Sequence, residues 1–140
     1  MPTTAEDVCR VANSLPRTEQ ALVRDRIKFR VRRIVYASLS RDETLMGFAF
    51  PRDERAALIA SEPDKFLLPV ESDMRYNWVR VRLSAVDLQE MGELVLSAWE
   101  MVVPKSVAAA HLETLQHFPE GLFGPPSPGN NLPNERTADL

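Results

Sequence analysis

Two stretches of this chain carry cationic or aromatic side chains at every second residue. In 75–84, RYNWVRVRLS, Tyr76, Trp78, Arg80 and Arg82 alternate with Asn77, Val79, Val81 and Leu83. In 27–32, Lys28, Arg30 and Arg32 alternate with Ile27, Phe29 and Val31. Strand side chains point alternately to the two faces, so each stretch would turn an aliphatic stripe to a core and a cationic stripe away from it. Rows of guanidinium and ammonium groups suit the phosphates of a nucleic acid, and a neighbouring ring offers a base a stacking partner worth about 1–3 kcal/mol. With the flanking Arg33 and Arg75, the candidate nucleic-acid contacts are Lys28, Arg30, Arg32, Arg33, Arg75, Trp78, Arg80 and Arg82. About five phosphate contacts would give a slope of log affinity against log salt of roughly −4.5. The competing reading is a solvated sheet face whose arginines pair with Glu71 and Asp73, with Trp78 packed beneath their stems.

The whole-chain charge of −3 and a pI near 5.4 exclude a protein that coats nucleic acid by net charge alone. The distribution is uneven, however: residues 24–33 hold Arg24, Arg26, Lys28, Arg30, Arg32 and Arg33 against Asp25 alone, a local balance of +5. Catalytic chemistry has little to build on. Cys9 is the single cysteine, so disulfides and cysteine zinc clusters are excluded, and no histidine lies near it in sequence. His111 and His117 are six apart, which is not the i, i+4 spacing of a helical metal pair. Asp42 with Glu43, or Glu71 with Asp73, are acids that a solvated turn would carry in any case. The isolated glycines form no phosphate loop. The expectation is a non-enzymatic protein with no cofactor and no metal, in which no apolar run reaches the roughly 20 residues that span a bilayer. The polar start, with Glu6 and Asp7 where a signal would be basic and then apolar, points to the cytoplasm.

The elements that must position these residues follow from local patterns. Thr3 and Glu6 have capping-box spacing, and Val8, Val11, Ala12 and Leu15 then share one face of a helix ending near Pro16. After a linker, Ile27–Val31 and Ile34–Leu39 predict a hairpin turning at Arg32 and Arg33. Arg-Arg does not suit a two-residue turn that needs positive φ, so a longer or different turn is expected. A polar turn at 41–43 leads to a third strand, in which Met46, Phe48 and Phe50 alternate with Leu45, Gly47 and Ala49. The small Gly47 and Ala49 would let something pack close on their side. Pro51 starts a helix with Asp53 and Glu54 in its first turn and Ala57, Leu58 and Phe66 on its apolar side. A short strand near Phe66–Leu68 and the strand of 75–84 follow. Ser84 and Asp87 then cap a helix whose stripe is Leu88, Met91, Leu94, Val95, Ala98 and Val102, stopped by Pro104. Residues 106–118 predict a helical extension with Val107, Leu112, Leu115 and Phe118, and 119–140 a proline-rich tail.

Several strings in this order resemble the MmcQ/YjbR family: SLP at 14–16, KFRVRRIVYASL at 28–39, FPRDERAALIASEPDKF at 50–66, WVRVRL at 78–83 and VPK at 103–105. The likeness covers about residues 6–105, within a domain taken as 1–105. It departs at the hairpin turn, where Arg32 and Arg33 stand in place of a glycine-containing pair, and in ESDMRYN before Trp78. The resemblance implies a frataxin-related α+β fold, an antiparallel sheet of four to five strands with helices packed on one face. It also implies a bacterial DNA-binding protein. The alternative is a protein-interaction module, a homodimer or a partner complex, that binds no nucleic acid. In the frataxin comparison an iron-binding acidic ridge would fall on Glu6 and Asp7, which is thin support for a metal.

Overall fold

The alternating stretches become strands of one antiparallel sheet, and the residues with helical periodicity lie across one of its faces. The computed structural model describes residues 2–115. Its elements in chain order are α1 (Ala5–Asn13), β1 (Thr18–Val23), β2 (Arg26–Val31), β3 (Ile34–Leu39), β4 (Leu45–Ala49), α2 (Arg55–Ser61), β5 (Phe66–Leu67), β6 (Trp78–Arg82), α3 (Leu88–Glu100) and α4 (Lys105–Leu115). The strands are ordered β1-β2-β3-β4-β6-β5. Val8 and Ala12 of α1 and Met91, Val95, Ala98 and Trp99 of α3 bury themselves against Phe29, Leu39, Met46, Phe48, Val79 and Val81 of the sheet. Each large apolar side chain so buried contributes about 1.5–3 kcal/mol. Helix α4 closes one end, with Ala108 buried and the His111 ring edge-on to Trp99 at 5.1 Å.

The sheet has six strands, one more than the upper expectation, because residues 18–23 form β1 and are not a linker. As an edge strand β1 needs no strict alternation, and its Leu22 is 71% exposed. Two tight turns frame β2. Between β1 and β2, Arg24 and Asp25 both have positive φ, 53° and 66°, as a two-residue hairpin turn requires. Between β2 and β3, Val31 pairs directly with Ile34, so the turn is the two-residue Arg32-Arg33, with Arg32 at φ 60°. The longer turn expected there is thus not formed; arginine accepts the left-handed conformation in both hairpins.

The first helix is capped one residue later than the spacing suggested. Thr4 and Asp7 form the capping box, while Thr3 is buried and donates its hydroxyl to the Val86 carbonyl at 3.0 Å. Likewise α3 is capped by Asp87, which accepts from the Glu90 amide, and not by Ser84; Leu88 is half exposed. On α2 the inward residues are Leu58 and Ile59, Ala57 is exposed, and Phe66 belongs to β5. The expected short helix in 106–118 is met by α4 as far as Leu115; His117, Phe118 and the tail lie outside the described residues. Among the described residues no helix is long and apolar enough to cross a membrane.

Candidate functional site

Strand register places the two cationic stripes on one face, the one opposite α1 and α3. Lys28 lies opposite Ser38, Ser38 opposite Gly47, and Gly47 opposite Arg80, so a single row crosses four strands. Directly opposed residues share a face, which assigns Arg26, Arg30, Trp78 and Arg82 to it as well. A bulge preserves this arrangement. Phe29 pairs with Ala37 but Arg30 pairs with Val35, so the extra residue Tyr36 turns inward and its hydroxyl bonds Thr18 Oγ1 at 2.8 Å. The stripes are not adjacent, since β2 and β6 are three strand spacings apart, about 14 Å.

What lies over this face is the connection from β5 to β6, residues 68–77, which we call the strap. Its near end is held by Arg80, whose Nε donates to the Leu68 carbonyl at 2.7 Å. Its far end is held by Arg55, which is 7% exposed and donates to the carbonyls of Met74 at 2.9 Å, Tyr76 at 3.2 Å and Trp78 at 3.1 Å. Arg52 adds bonds to the Arg75 carbonyl through its guanidinium and to Asn77 Oδ1 through its amide. Burial holds the Arg55 pKa below the usual arginine value, with Arg52 adding to it.

The covered surface differs from the open basic plane that the alternation suggests. Trp78 is 0% exposed and packs on Val35, with Tyr76 against the pair; Ala49 lies opposite it on β4. Lys28 is 2% exposed. Both are covered, and of the two acids in the competing reading Asp73 is the one that sits among the cations. Asp73, in a short turn of the strap, is completely buried and sits in the field of Lys28, Arg75, Arg26 and Arg80. Burial pushes its pKa up to about 6, although all four cations pull it down. Burial also pushes the Lys28 pKa down to about 8, with Arg26 and Arg24 adding repulsion and Asp73 opposing them.

The remaining candidates divide into two groups. Arg75 and Arg82 are exposed and Arg80 is partly exposed, with Arg82 bearing on Arg80. The Arg75 guanidinium lies 4.8 Å from the Tyr76 ring centroid. Arg30 is partly exposed and bonds Glu19 at 3.0 Å across β1 and β2. Arg32 and Arg33 are exposed at the hairpin tip, about four residues or 13 Å along β2 from Lys28 and outside the cluster. The cluster gains instead Arg24, at the β1–β2 turn, Arg26, and Arg41, whose Nε donates to the Arg24 carbonyl at 3.4 Å. Arg24 and Arg26 stand out in the charge run 24–33, but Arg41 and the central position of Asp73 have no signal in local pattern. Arg26, Arg75, Arg80 and Lys28 therefore face one buried carboxylate, with Arg24 and Arg41 beside Arg26 and Arg82 beside Arg80.

Comparison with known proteins agrees with the fold. No curated protein sequence matches this chain significantly. The crystal structure of Deinococcus radiodurans protein DR2400, with family-model domain DUF419, is similar at a TM-score of 0.65 and 20% identity, over 89% of this chain and 96% of that one. A family model described as YjbR matches residues 13–101, which contain the whole sheet, the strap, α2 and α3. The chain therefore belongs to the YjbR family.

Proposed function

We propose that this protein binds the phosphate backbone of nucleic acid through the arginines around the strap, and acts by binding and not by catalysis. The observation that carries this reading is the cluster itself: Arg26, Arg75 and Arg80, with Lys28, face Asp73, and Arg24, Arg41 and Arg82 stand behind them, in a chain whose overall charge is negative. Such a field is local, and a screening length near 10 Å at about 0.1 M salt lets it act at contact despite the net charge. Trp78 is too deeply buried to stack on a base; Tyr76, beneath Arg75, is the aromatic ring beside the cluster. The chemistry favours backbone contact over base readout.

The test is fluorescence anisotropy of a labelled duplex between about 50 and 200 mM salt. The expected result is salt-sensitive binding that the charge reversals Arg24→Glu and Arg82→Glu together weaken at least tenfold, with the far-ultraviolet spectrum unchanged. Absence of binding at low salt, or affinity indifferent to both reversals, overturns the reading.

A second reading, docking of a protein partner or a second copy, draws on the outer edge of β1. Among the described residues no strand pairs with that edge, and Leu22 on it is 71% exposed. It requires the mass in solution to rise with concentration or with partner; a strictly monomeric chain with no captured partner removes it.

A further inference from the structure

The phosphate-binding reading uses the arginines but leaves the carboxylate at their centre without a role. Asp73 reaches that position because three things coincide. Gly47 has no side chain between Ser38 and Arg80, so the row has a gap at its middle. Arg55, Arg52 and Arg80 fix both ends of the strap, so Asp73 is buried beneath it and is not a mobile surface acid. Lys28 and Arg26 from β2, Arg80 from β6 and Arg75 from the strap itself then face it from three directions. Opposite Lys28, the Ser38 hydroxyl is wholly buried with no hydrogen-bond partner among the described residues, a further donor on the same face.

A carboxylate so placed takes up the donors and the field that an incoming phosphate would use. Resting on the reading above, we propose that Asp73 is an internal competitor of the nucleic-acid phosphates for Arg26, Arg75 and Arg80, so that neutralising its carboxylate tightens binding. The groups facing Asp73 are all cationic, with Arg24, Arg41 and Arg82 acting behind them, and none of them loses its charge as the solution is acidified. Glu100 and His111, which lie on α3 and α4, are across the sheet. Because burial brings the Asp73 titration to about 6, mild acidification is itself a way to neutralise it.

The experiment measures duplex affinity of the full chain by anisotropy at fixed low salt, across roughly pH 7.5 to 5, for the unaltered protein, Asp73→Asn, and Lys28→Met combined with Asp73→Asn. At neutral pH the Asp73→Asn protein binds about fivefold tighter, the effect of removing one opposing charge from beneath the contact. The unaltered protein gains the same factor as pH falls through about 6; the double variant, which lacks both buried titrating groups, is flat over that interval, and the Asp73→Asn protein loses the step near 6 and keeps only the titration of Lys28, which burial lowers to about 8. The double variant removes the buried lysine together with its counter-ion, so it decides the question if Asp73→Asn alone does not fold. Variants that keep the affinity and the pH profile of the unaltered protein show that Asp73 only holds the strap, and overturn the inference while duplex binding stands. If none of the three proteins binds duplex at any pH, the phosphate reading fails and this inference fails with it.

Discussion

Trp99 and Trp78 are both completely buried, on opposite faces of one sheet, and they are buried by different physics. Trp99 lies among apolar side chains of the helices and sheet, and its Nε1 donates to the Pro16 carbonyl at 2.8 Å. Trp78 has Val35 and Tyr76 as its apolar company, and its Nε1 has no partner among the described residues. On the helix face a large non-directional burial term does the holding. On the strap face the apolar cluster is small, and guanidinium bonds to backbone carbonyls place the covering segment. The first arrangement tolerates volume-conserving exchange; the second depends on particular donors. One sheet thus separates the scaffold from the charged surface that we propose for function.

The comparison can be broken most directly at its two tryptophans. Trp99→Ala and Trp78→Ala are each expected to cost about 3–5 kcal/mol in denaturant unfolding. They should differ in hydrogen exchange, with Trp78→Ala releasing the amides of 70–77 well before the helices and Trp99→Ala loosening α1, α3 and α4 together. Identical exchange patterns would mean that the two faces are one cooperative unit.

Arg55→Ala should come next, at about 3 kcal/mol, because two strap carbonyls, of Met74 and Tyr76, and that of Trp78 in β6 lose a charged donor at once. Arg55→Lys should recover little of this, since an ammonium cannot reproduce the guanidinium's planar reach to several acceptors. Full recovery by lysine would show that only the charge matters.

A smaller effect separates the faces by pH. Glu100, 8% exposed at the end of α3, has its pKa pushed up from 4.5 to about 7 by burial, with no ion pair among the described residues. The folded state then holds the proton more firmly than the unfolded one. The penalty is therefore full above about pH 7 and is relieved as pH falls towards 4.5. Glu100→Gln should stabilise the protein by about 1–2 kcal/mol at alkaline pH and leave it unchanged near the carboxylate's ordinary pKa. Asp73 has the same sign, its penalty full above about 6 and fading towards 3.8. Thermal midpoints of the Glu100→Gln protein that run parallel to those of the unaltered chain at all pH values would refute the assignment.

The smallest change in stability is expected at the exposed rim. Arg82→Glu should alter unfolding by no more than about 0.5 kcal/mol, because Arg82 is exposed. Its consequence should be confined to polyanion affinity. A large loss of stability would mean that Arg82 supports the strap as Arg80 does.

Much of this molecule was legible in the order of its residues. Alternation in 26–31 and 78–82 decided which side chains share a face, because a pleated strand offers only two directions. The helical stripe of Met91, Val95 and Ala98 decided the buried side of α3, but the helix ends at Glu100, before Val102 and the expected stop at Pro104. Glycine and asparagine were absent at 24–25 and 32–33, yet both hairpins close tightly, since strand pairing of six residues in the first and four in the second outweighs the cost of left-handed Arg24, Asp25 and Arg32. Strand β1 was hidden for a related reason: an edge strand gains its order from its neighbour's backbone, and its own side chains need not alternate.

Only the tertiary structure decided that the cationic face is covered. Alternation assigns Lys28 and Trp78 a side of the sheet, but whether that side meets water depends on where residues 68–77 run, which contacts distant in sequence determine. Asp73 meets Lys28 across a separation of 45 residues and on an element with no periodicity to read. The one-dimensional pattern carries the direction of a side chain relative to its own backbone; it does not carry what another segment lays over it.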